Sequence, residues 1–230
     1  MKVVILAGGL GSRLAEYTKK IPKPMVKIAG KPIIYYIMKH YSNFGYKDFI
    51  IPVGYKGEYI KKYFSKGFKQ WKIKVVKTGN KTMTGGRLKK LQPLLKNQTF
   101  FLTYGDGLSN VNIKKLLQFH KKNKKLATLT TVRPPARFGA VKLYGNKVKY
   151  FKEKSRIDEG WINGGFFVFE PSIFKYLKND KTYLERDPMI KISQKGQLIA
   201  FKHYGFWQCM DTIRDMEILN NSFEKKEIKF

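Results

Sequence analysis

The chain is poor in cysteine and in acidic residues, and it lacks a long hydrophobic run. Its single cysteine, Cys209, excludes an internal disulfide framework and a zinc site built from cysteines. This composition fits a reducing compartment, and we predict a cytoplasmic protein. No uncharged apolar run approaches the ~18 residues of a membrane-spanning helix, so no membrane contact is expected. The apolar run at residues 3–7 is too short for the core of an export signal.

The scarcity of acidic residues leaves a large positive charge. The 47 Lys and Arg residues against 16 Asp and Glu residues give a formal net charge of +31, an excess often found in nucleic-acid binders. Forty of the 47 cations are lysines, whereas base and phosphate recognition favours the planar arginine fork. We therefore predict a solvated, lysine-biased surface that attracts anionic small molecules, and no nucleic-acid partner.

The apolar residues that are present form an alternating pattern. Continuous apolar runs, typical of buried parallel strands, alternate with helical patterns along the first 132 residues. This alternation predicts an α/β fold with a doubly wound, mostly parallel, Rossmann-like sheet. The predicted strands lie at residues 3–6, 49–53, 73–76, 99–104 and 127–132, and the predicted helices at 32–41, 58–64, 86–95 and 113–123.

The pattern changes after Pro134. A hairpin pattern at 140–151 is followed by strand patterns at 166–169 and 199–203 and by a closing helix at 212–224. No repeat or linker interrupts the chain. We predict one domain over 1–230, with a nucleotide-type lobe at about 1–132 and a smaller substrate lobe with antiparallel strands at about 133–211.

A glycine-rich loop follows the first predicted strand directly. Glycines let backbone N–H groups approach an anion closely at the carboxyl edge of a parallel sheet. The loop matches neither the dinucleotide-binding pattern nor the P-loop, and a tight strand-to-helix turn is its structural alternative. Its sequence is Leu6-Ala7-Gly8-Gly9-Leu10-Gly11-Ser12-Arg13.

Two further segments place a cation where it could meet phosphate. Lys23 lies between two prolines, whose fixed φ angles aim its ammonium group. In the segment 83–87, Gly85 and Gly86 permit close backbone contact and Arg87 offers a bidentate phosphate donor. The structural alternatives are a solvated turn at Lys23 and a helix N-terminus at 83–87.

Two aspartates occupy positions suited to a metal ion. Asp106 follows a predicted strand between two glycines, and Asp211 directly precedes the closing helix. One or two carboxylates together with substrate phosphates suffice for Mg²⁺, so the pair predicts a Mg²⁺ site. A glycine turn at Asp106 and a helix N-cap at Asp211 are the structural alternatives.

Together these segments resemble the sugar-1-phosphate nucleotidyltransferases, most closely their cytidylyl branch, over residues 1 to about 219. The resemblance rests on the loop 6–13, on Pro-Lys-Pro-Met at 22–25 and on Met-Thr-Gly-Gly-Arg-Leu at 83–88. The segments 138–140, 161–167 and 205–212 are also similar to that branch. The resemblance implies transfer of a cytidylyl group from CTP to glucose 1-phosphate with Mg²⁺, which gives CDP-glucose and pyrophosphate.

By matching position, the resemblance also implies residue roles. Nucleotide contacts are implied for Leu6, Ala7, Gly8, Gly9, Leu10, Thr82, Gly85 and Gly86, and contacts to the nucleotide phosphates for Gly11, Ser12, Arg13, Lys23 and Arg87. Contacts to the sugar and its phosphate are implied for Glu153, Lys154, Asn163 and Gly164, and Mg²⁺ ligation for Asp106 and Asp211. Arg13 and Lys23 would stabilise the departing pyrophosphate.

Such a transfer needs no general base, because a sugar 1-phosphate is already an anionic nucleophile. This agrees with a chain that has only three histidines. We interpret His40 and His120 as helix-surface residues and His203 as a strand residue, none of them catalytic.

The chain departs from the pattern of that family at a few positions. Ser12 stands where threonine is usual, Ser155 and Cys209 stand where proline is usual, and the segment 64–71 is short. The resemblance implies a homo-oligomer. A nucleotidyltransferase for another base or sugar, and a non-catalytic sugar-nucleotide or nucleic-acid binding module, stay open as alternatives.

Overall fold

The structure is a computed structural model that describes residues 1–9, 11–134, 140–152, 160–225 and 228. No helix in these ranges is both long and apolar enough to cross a membrane. The strands are β1 (Lys2–Leu6), β2 (Lys27–Ile28), β3 (Lys31–Pro32), β4 (Asp48–Val53), β5 (Lys72–Lys77), β6 (Phe100–Tyr104), β7 (Gly107–Ser109), β8 (Ala127–Val132), β9 (Ala140–Tyr144), β10 (Lys147–Lys152), β11 (Ile162–Phe169), β12 (Leu198–His203) and β13 (Trp207–Cys209). The helices are α1 (Ala15–Thr18), α2 (Ile33–Asn43), α3 (Gly57–Phe64), α4 (Thr84–Lys90), α5 (Gln92–Leu95), α6 (Ile113–Asn123), α7 (Asp187–Gln194) and α8 (Ile213–Glu224).

A seven-stranded sheet organises the protein, in the order β12-β8-β11-β6-β1-β4-β5. β1 pairs in parallel with β4 and β6, and the pairs β4–β5 and β8–β12 are also parallel. Only β11 in this sheet runs antiparallel to its neighbours, β6 and β8. The predicted mostly parallel α/β fold is confirmed, as are the antiparallel additions, among them the β9–β10 hairpin.

The sheet is buried on both faces, which explains its continuous apolar strands. In β1, Val3 and Ile5 pack into one hydrophobic cluster with α2, α3, α6 and α8, while Val4 and Leu6 pack into another with α4, α5 and α7. Successive strand side chains point to opposite faces, so each face needs its own set of apolar positions. β11 and β12, from the predicted substrate lobe, belong to this same sheet; the lobe boundary near 132 stays a prediction.

Helix α2 shows how the local sequence defines an element. It begins after Pro32, whose fixed φ suits a helix start, and it buries Ile33, Ile37 and Tyr41 on one face. It ends before Gly45, which has a φ of 90° that glycine adopts without strain. The predicted helix and its glycine stop are confirmed.

Two element predictions need correction. The predicted helix 86–95 is two helices, α4 and α5, because Pro93 lacks an N–H group and its ring clashes with the preceding turn. β11 begins at Ile162, four residues before the predicted start, and its pairing with β8 is irregular between Asn163 and Phe167. Glycines at this irregularity conceal the strand pattern from sequence reasoning.

The interpretation of His40 and His120 as helix-surface residues is wrong, since their exposed fractions are 6% and 1%. His40 Nε2 lies 2.8 Å from Val111 O, and burial lowers the pKa of His40 to about 4. His120 Nε2 lies 2.9 Å from Glu170 Oε1. Polar partners on distant segments satisfy both rings, and a helical pattern alone does not reveal such partners. His203 lies in β12, as predicted.

Candidate active site

A cavity of about 680 Å³ opens at the carboxyl ends of β1 and β6. Ligands of α/β sheets bind at this edge, where the strands run into loops. Segments that are far apart in the chain meet in its wall. The predicted site residues among its lining are Leu6, Ala7, Gly8, Gly9, Gly11, Ser12, Arg13, Lys23, Thr82, Arg87 and Asp106.

The four residues predicted to be catalytic converge beside this cavity. Lys23 Nζ lies 2.6 Å from Asp106 Oδ2 and 2.6 Å from Asp211 Oδ1. Arg13 Nη1 lies 2.7 Å from Asp211 Oδ2. The side chain of Lys23 is only 11% exposed, whereas that of Arg13 is 74% exposed. Two cations thus balance two carboxylates in one cluster.

The electrostatics of this cluster keep Lys23 charged. Burial is the largest influence on the pKa of Lys23 and lowers it, but the charges and hydrogen bonds of Asp106 and Asp211 together outweigh burial, so that the pKa lies above its ordinary value. In contrast, burial raises the pKa of the Cys209 thiol to about 12, and the charge of Asp211 adds to the shift. The thiol is therefore protonated at neutral pH.

The donor set of this cluster fits a magnesium ion. Asp106 and Asp211 already hold one cation, the Lys23 ammonium, between their oxygens. Among the residues that the structure describes, no three His, Cys, Asp or Glu side chains gather at one point, as a protein-only metal cage would need. Two carboxylates are enough for Mg²⁺ when phosphate oxygens complete its coordination.

The N-cap alternative for Asp211 is wrong. Thr212 caps α8, because its side chain accepts a hydrogen bond from Asp215 N at 3.2 Å. Asp215 in turn accepts from the backbone N–H groups of Thr212 and Asp211 through Oδ2, at 2.9 and 3.0 Å. The capping box thus holds the backbone of Asp211, while its carboxylate points at Lys23 and Arg13.

Arg87 is 4% exposed and bonds to the protein on several sides. Its Nη1 donates to Thr78 Oγ1 at 2.7 Å and to Gly79 O at 2.8 Å, and its Nη2 donates to Gly8 O at 2.7 Å. A Cβ at Gly8 would lie 2.2 Å from Arg87 Cζ, which explains the glycine there. The guanidinium thus supports the glycine-rich loop, and its contact to phosphate stays a prediction.

Gly85 and Gly86 lie behind the cavity wall. A Cβ on Gly85 would lie 2.9 Å from Thr182 O, and one on Gly86 would lie 2.7 Å from Asp180 O. Their small size therefore lets α4 pack against the segment 179–184. Their contact to the nucleotide stays a prediction, and close helix packing is the role that the geometry explains.

Of the residues predicted for the sugar phosphate, Asn163 and Gly164 lie at the start of β11. Asn163 Nδ2 donates to Tyr104 Oη at 3.3 Å, which connects Asn163 to the cavity wall. Gly164 O accepts from Trp207 Nε1 at 2.7 Å. A Cβ at Gly164 would lie 2.9 Å from a methyl group of Val132, so the chain needs glycine there. The predicted residues Leu10, Glu153 and Lys154 lie outside the described residues, as do Phe138 and Gly139.

Sequence reasoning missed part of the cavity wall. Tyr104, Thr84 and Tyr183 line it, and Glu185 joins the first two by hydrogen bonds. The sequence could have indicated Tyr104, since it is the last strand residue before Gly105 and Asp106. No sequence pattern indicates Glu185, because it lies in an irregular stretch before α7, and its partners are about 80 and 100 residues away in the chain.

This fold and this site define the class of protein. The family model described as nucleotidyl transferase matches residues 2–207, and the chain belongs to that family. It is 46% identical to the glucose-1-phosphate cytidylyltransferase of Salmonella typhi, over 98% of this chain and 96% of the relative. It is 32% identical to the D-glycero-α-D-manno-heptose 1-phosphate guanylyltransferase of Aneurinibacillus thermoaerophilus, over 90% of this chain and 89% of the relative.

A solved structure supports the same fold. The crystal structure of HddC from Yersinia pseudotuberculosis is similar with a TM-score of 0.78 at 27% identity, and it covers 96% of this chain and 99% of its own. The alignment with the Salmonella typhi relative spans 248 positions, against 230 residues here. That relative therefore has residues without a counterpart in this chain.

Proposed function

We propose that this protein transfers a cytidylyl group from CTP to α-D-glucose 1-phosphate and releases pyrophosphate, the activity of a glucose-1-phosphate cytidylyltransferase. The observation that carries the proposal is the convergence of Lys23 and Arg13 with Asp106 and Asp211 beside a cavity of about 680 Å³. The 46% identity to a cytidylyltransferase over nearly the whole chain supports CTP and glucose 1-phosphate as substrates.

The reaction is a single displacement at phosphorus. An oxygen of the sugar phosphate bonds to the α-phosphorus of CTP, while the bond from that phosphorus to the β-phosphate oxygen breaks, so that CDP-glucose and pyrophosphate form. The nucleophile is already an anion, so no proton has to be removed. Positioning and charge neutralisation then account for the lower barrier, which is why the buried His40 and His120 are not needed.

The cations and the carboxylates of the site have different roles in this reaction. Arg13 and Lys23 would stabilise the negative charge that develops on the departing pyrophosphate. Asp106 and Asp211 would hold Mg²⁺, which neutralises phosphate charge as a Lewis acid when bound. Leu6, Ala7, Gly8, Gly9, Gly11 and Ser12 line the cavity, as does Thr82, and they would hold the nucleotide and its phosphates.

The assignment of the sugar-phosphate contacts rests on the resemblance and on the position of β11. Asn163 and Gly164, together with Glu153 and Lys154, would hold the sugar hydroxyls and the sugar phosphate. A cytoplasmic homo-oligomer without a nucleic-acid or membrane partner belongs to the same proposal. The single cysteine, Cys209, supports the reducing compartment.

A substrate matrix tests the function. Pyrophosphate release is measured for CTP, UTP, dTTP and GTP, each with glucose, mannose and heptose 1-phosphates. Cytosine and uracil differ in the donor and acceptor pattern of their ring edge, and each unpaired buried group costs about 1–3 kcal/mol. Two mismatches give on the order of 10²- to 10⁴-fold discrimination, so kcat/KM for CTP with glucose 1-phosphate should exceed that for UTP or dTTP by at least about 10².

The other outcomes of the matrix are equally informative. Preference for another nucleotide or sugar, such as the heptose 1-phosphate and guanylyl group in the name of the Aneurinibacillus relative, would keep the enzyme class and change its substrates. Release of no pyrophosphate by any pair, from a protein that still binds nucleotide, would favour a non-catalytic sugar-nucleotide binding module.

A further inference from the structure

Glu185 lies outside every sequence motif, and its carboxylate joins two parts of the cavity wall. Its Oε1 accepts a hydrogen bond from Tyr104 Oη at 2.7 Å, and its Oε2 accepts one from Thr84 Oγ1 at 2.6 Å. Tyr104 ends β6, two residues before Asp106, and Thr84 begins α4. One carboxylate thus connects the end of β6 with the start of α4 in the cavity wall.

An ionised carboxylate only accepts hydrogen bonds, and this fixes the direction of the bonds that start at Glu185. The Tyr104 hydroxyl donates its proton to Glu185, so its oxygen accepts from Asn163 Nδ2. On its other side, Asn163 Oδ1 accepts from Gly165 N at 2.8 Å. Both neighbours of Asn163 therefore select the same orientation of its amide group.

Packing holds the Tyr104 ring in place as well. The ring meets Phe167 edge-on, with 5.8 Å between the ring centroids. Gly165, with a φ of 78°, approaches so closely that a Cβ there would lie 2.7 Å from Tyr104 Cδ2. Burial raises the pKa of Tyr104 well above its ordinary value, and the charge of Glu185 adds to the shift. The hydroxyl therefore keeps the proton that it donates.

We propose that Glu185 is a positioning residue for the sugar phosphate. Acting through Tyr104, it orients Asn163 so that the second N–H proton of the amide, rather than its carbonyl oxygen, is left for an oxygen of the substrate. The inference rests on the proposed function, in which Asn163 contacts the sugar phosphate. Glu185 is itself exposed, so its replacement removes the acceptor for the Tyr104 hydroxyl without opening the core.

Glu185→Ala tests this role, because it removes both acceptor oxygens, whereas a glutamine could still accept from Tyr104 and donate to Thr84. We expect the KM for glucose 1-phosphate to rise about tenfold and the KM for CTP to change by less than about twofold. Tyr104→Phe should give a rise of similar size. The double variant should be no worse than either single one, because both act through one chain of bonds.

Asp187→Ala is the matched control. It removes the same charge at an exposed position two residues along the chain, in the first turn of α7, and should leave both KM values unchanged. If Glu185→Ala fails to fold, the KM values of Tyr104→Phe still decide the proposal. Equal rises in both KM values, a loss confined to kcat, or additive effects of the two substitutions would overturn it.

The wild-type protein tests the proposed function separately. If it prefers another sugar 1-phosphate, the KM comparison is made with that sugar. If no pair of substrates turns over, the proposed function fails, and calorimetric Kd values for glucose 1-phosphate replace KM. A tenfold weaker Kd in Glu185→Ala would then still support the positioning role, and an unchanged Kd would overturn it.

Discussion

Two polar clusters of similar composition lie at opposite edges of the central sheet. At the carboxyl ends of the parallel strands, Asp106 and Asp211 share the Lys23 ammonium beside the cavity. At the amino ends, His120 Nε2 lies 2.9 Å from Glu170 Oε1, and His120 is 1% exposed. Each cluster pairs carboxylate with a nitrogen group, yet only the first has the features of a site for an anionic substrate.

The difference is one of access. At the first edge, strands end in loops rich in glycine and proline, which leave room for a ligand. A bound ligand can then take the place of one hydrogen-bonding partner in the cluster. At the second edge, the His120 imidazole is enclosed, and Thr128 Oγ1 lies 2.8 Å from its other nitrogen. Only the Glu170 side chain, which is 40% exposed, reaches the surface there. A cluster closed around a fully bonded ring adds stability and specificity to a core, whereas a cluster open to a cavity can exchange its partners for a substrate.

The largest expected effect is the loss of activity on changing the open cluster. Asp211→Asn keeps the side-chain size but removes the charge that faces Lys23 and Arg13 and that would hold Mg²⁺. Turnover, measured as pyrophosphate release, should fall by about 10²-fold or more, while the thermal unfolding temperature changes little. A chelator should abolish wild-type activity, and Mg²⁺ should restore it. Full activity of Asp211→Asn or of Asp106→Asn would contradict the assignment.

A smaller loss is expected at the exposed side of the same cluster. Arg13→Ala removes a placed guanidinium that would stabilise the departing pyrophosphate, so the rate constant for chemistry in single-turnover experiments should fall by about tenfold or more. A change in CTP affinity without a change in this rate constant would show that Arg13 serves ground-state binding alone.

The closed cluster should respond in stability instead of activity. His120→Ala leaves Thr128 and Glu170 without their ring partner and opens a cavity, so the free energy of unfolding in urea should fall by about 1–3 kcal/mol. The kcat of the folded protein should stay close to that of the wild type. Lys121→Ala, at the next and exposed position of α6, is the control. A loss of kcat matching that of Asp211→Asn would remove the distinction between the two clusters.

His40 is a second buried histidine, outside both clusters, and its protonation should also change stability and not activity. Its pKa falls from 6.5 to about 4 in the folded protein because of burial, so only the unfolded chain takes up this proton between those values. Its contribution to stability is complete above pH 6.5 and falls as the pH falls, by about 2 kcal/mol between pH 7 and pH 5. Urea unfolding at both pH values measures it. His40→Gln should remove most of this slope, and an unchanged slope would assign it to other groups.

The smallest effect is expected from surface charge away from both clusters. Lys121 and Lys122 are exposed at the end of α6, and replacing both by glutamine should change kcat/KM by less than about twofold, with any shift lost at higher salt. A loss as large as that of Arg13→Ala would mean that bulk charge, rather than a placed arginine, attracts the substrate.

Much of the fold and part of the site follow from short stretches of sequence. Apolar runs and helical periods specify where β1, β4, β5, β6, β8 and most helices lie, because an element buried on one or two faces must repeat its apolar residues with its own period. The glycine-rich loop, Lys23 and Asp106 each carry a local signal at a strand end or turn. Since parallel strands bring their carboxyl ends to one edge, the presence of a binding site there is also a sequence-level result.

Only the tertiary structure decided which distant groups meet. Lys23 reaches Asp211 across 188 positions of the chain, Arg87 turns to the carbonyl of Gly8, and Glu185 joins Tyr104 to Thr84. The burial of His120 has the same origin. Local periodicity specifies an element and its buried face, but the order of strands in the sheet and the paths of the loops between them determine which side chains come within hydrogen-bond distance.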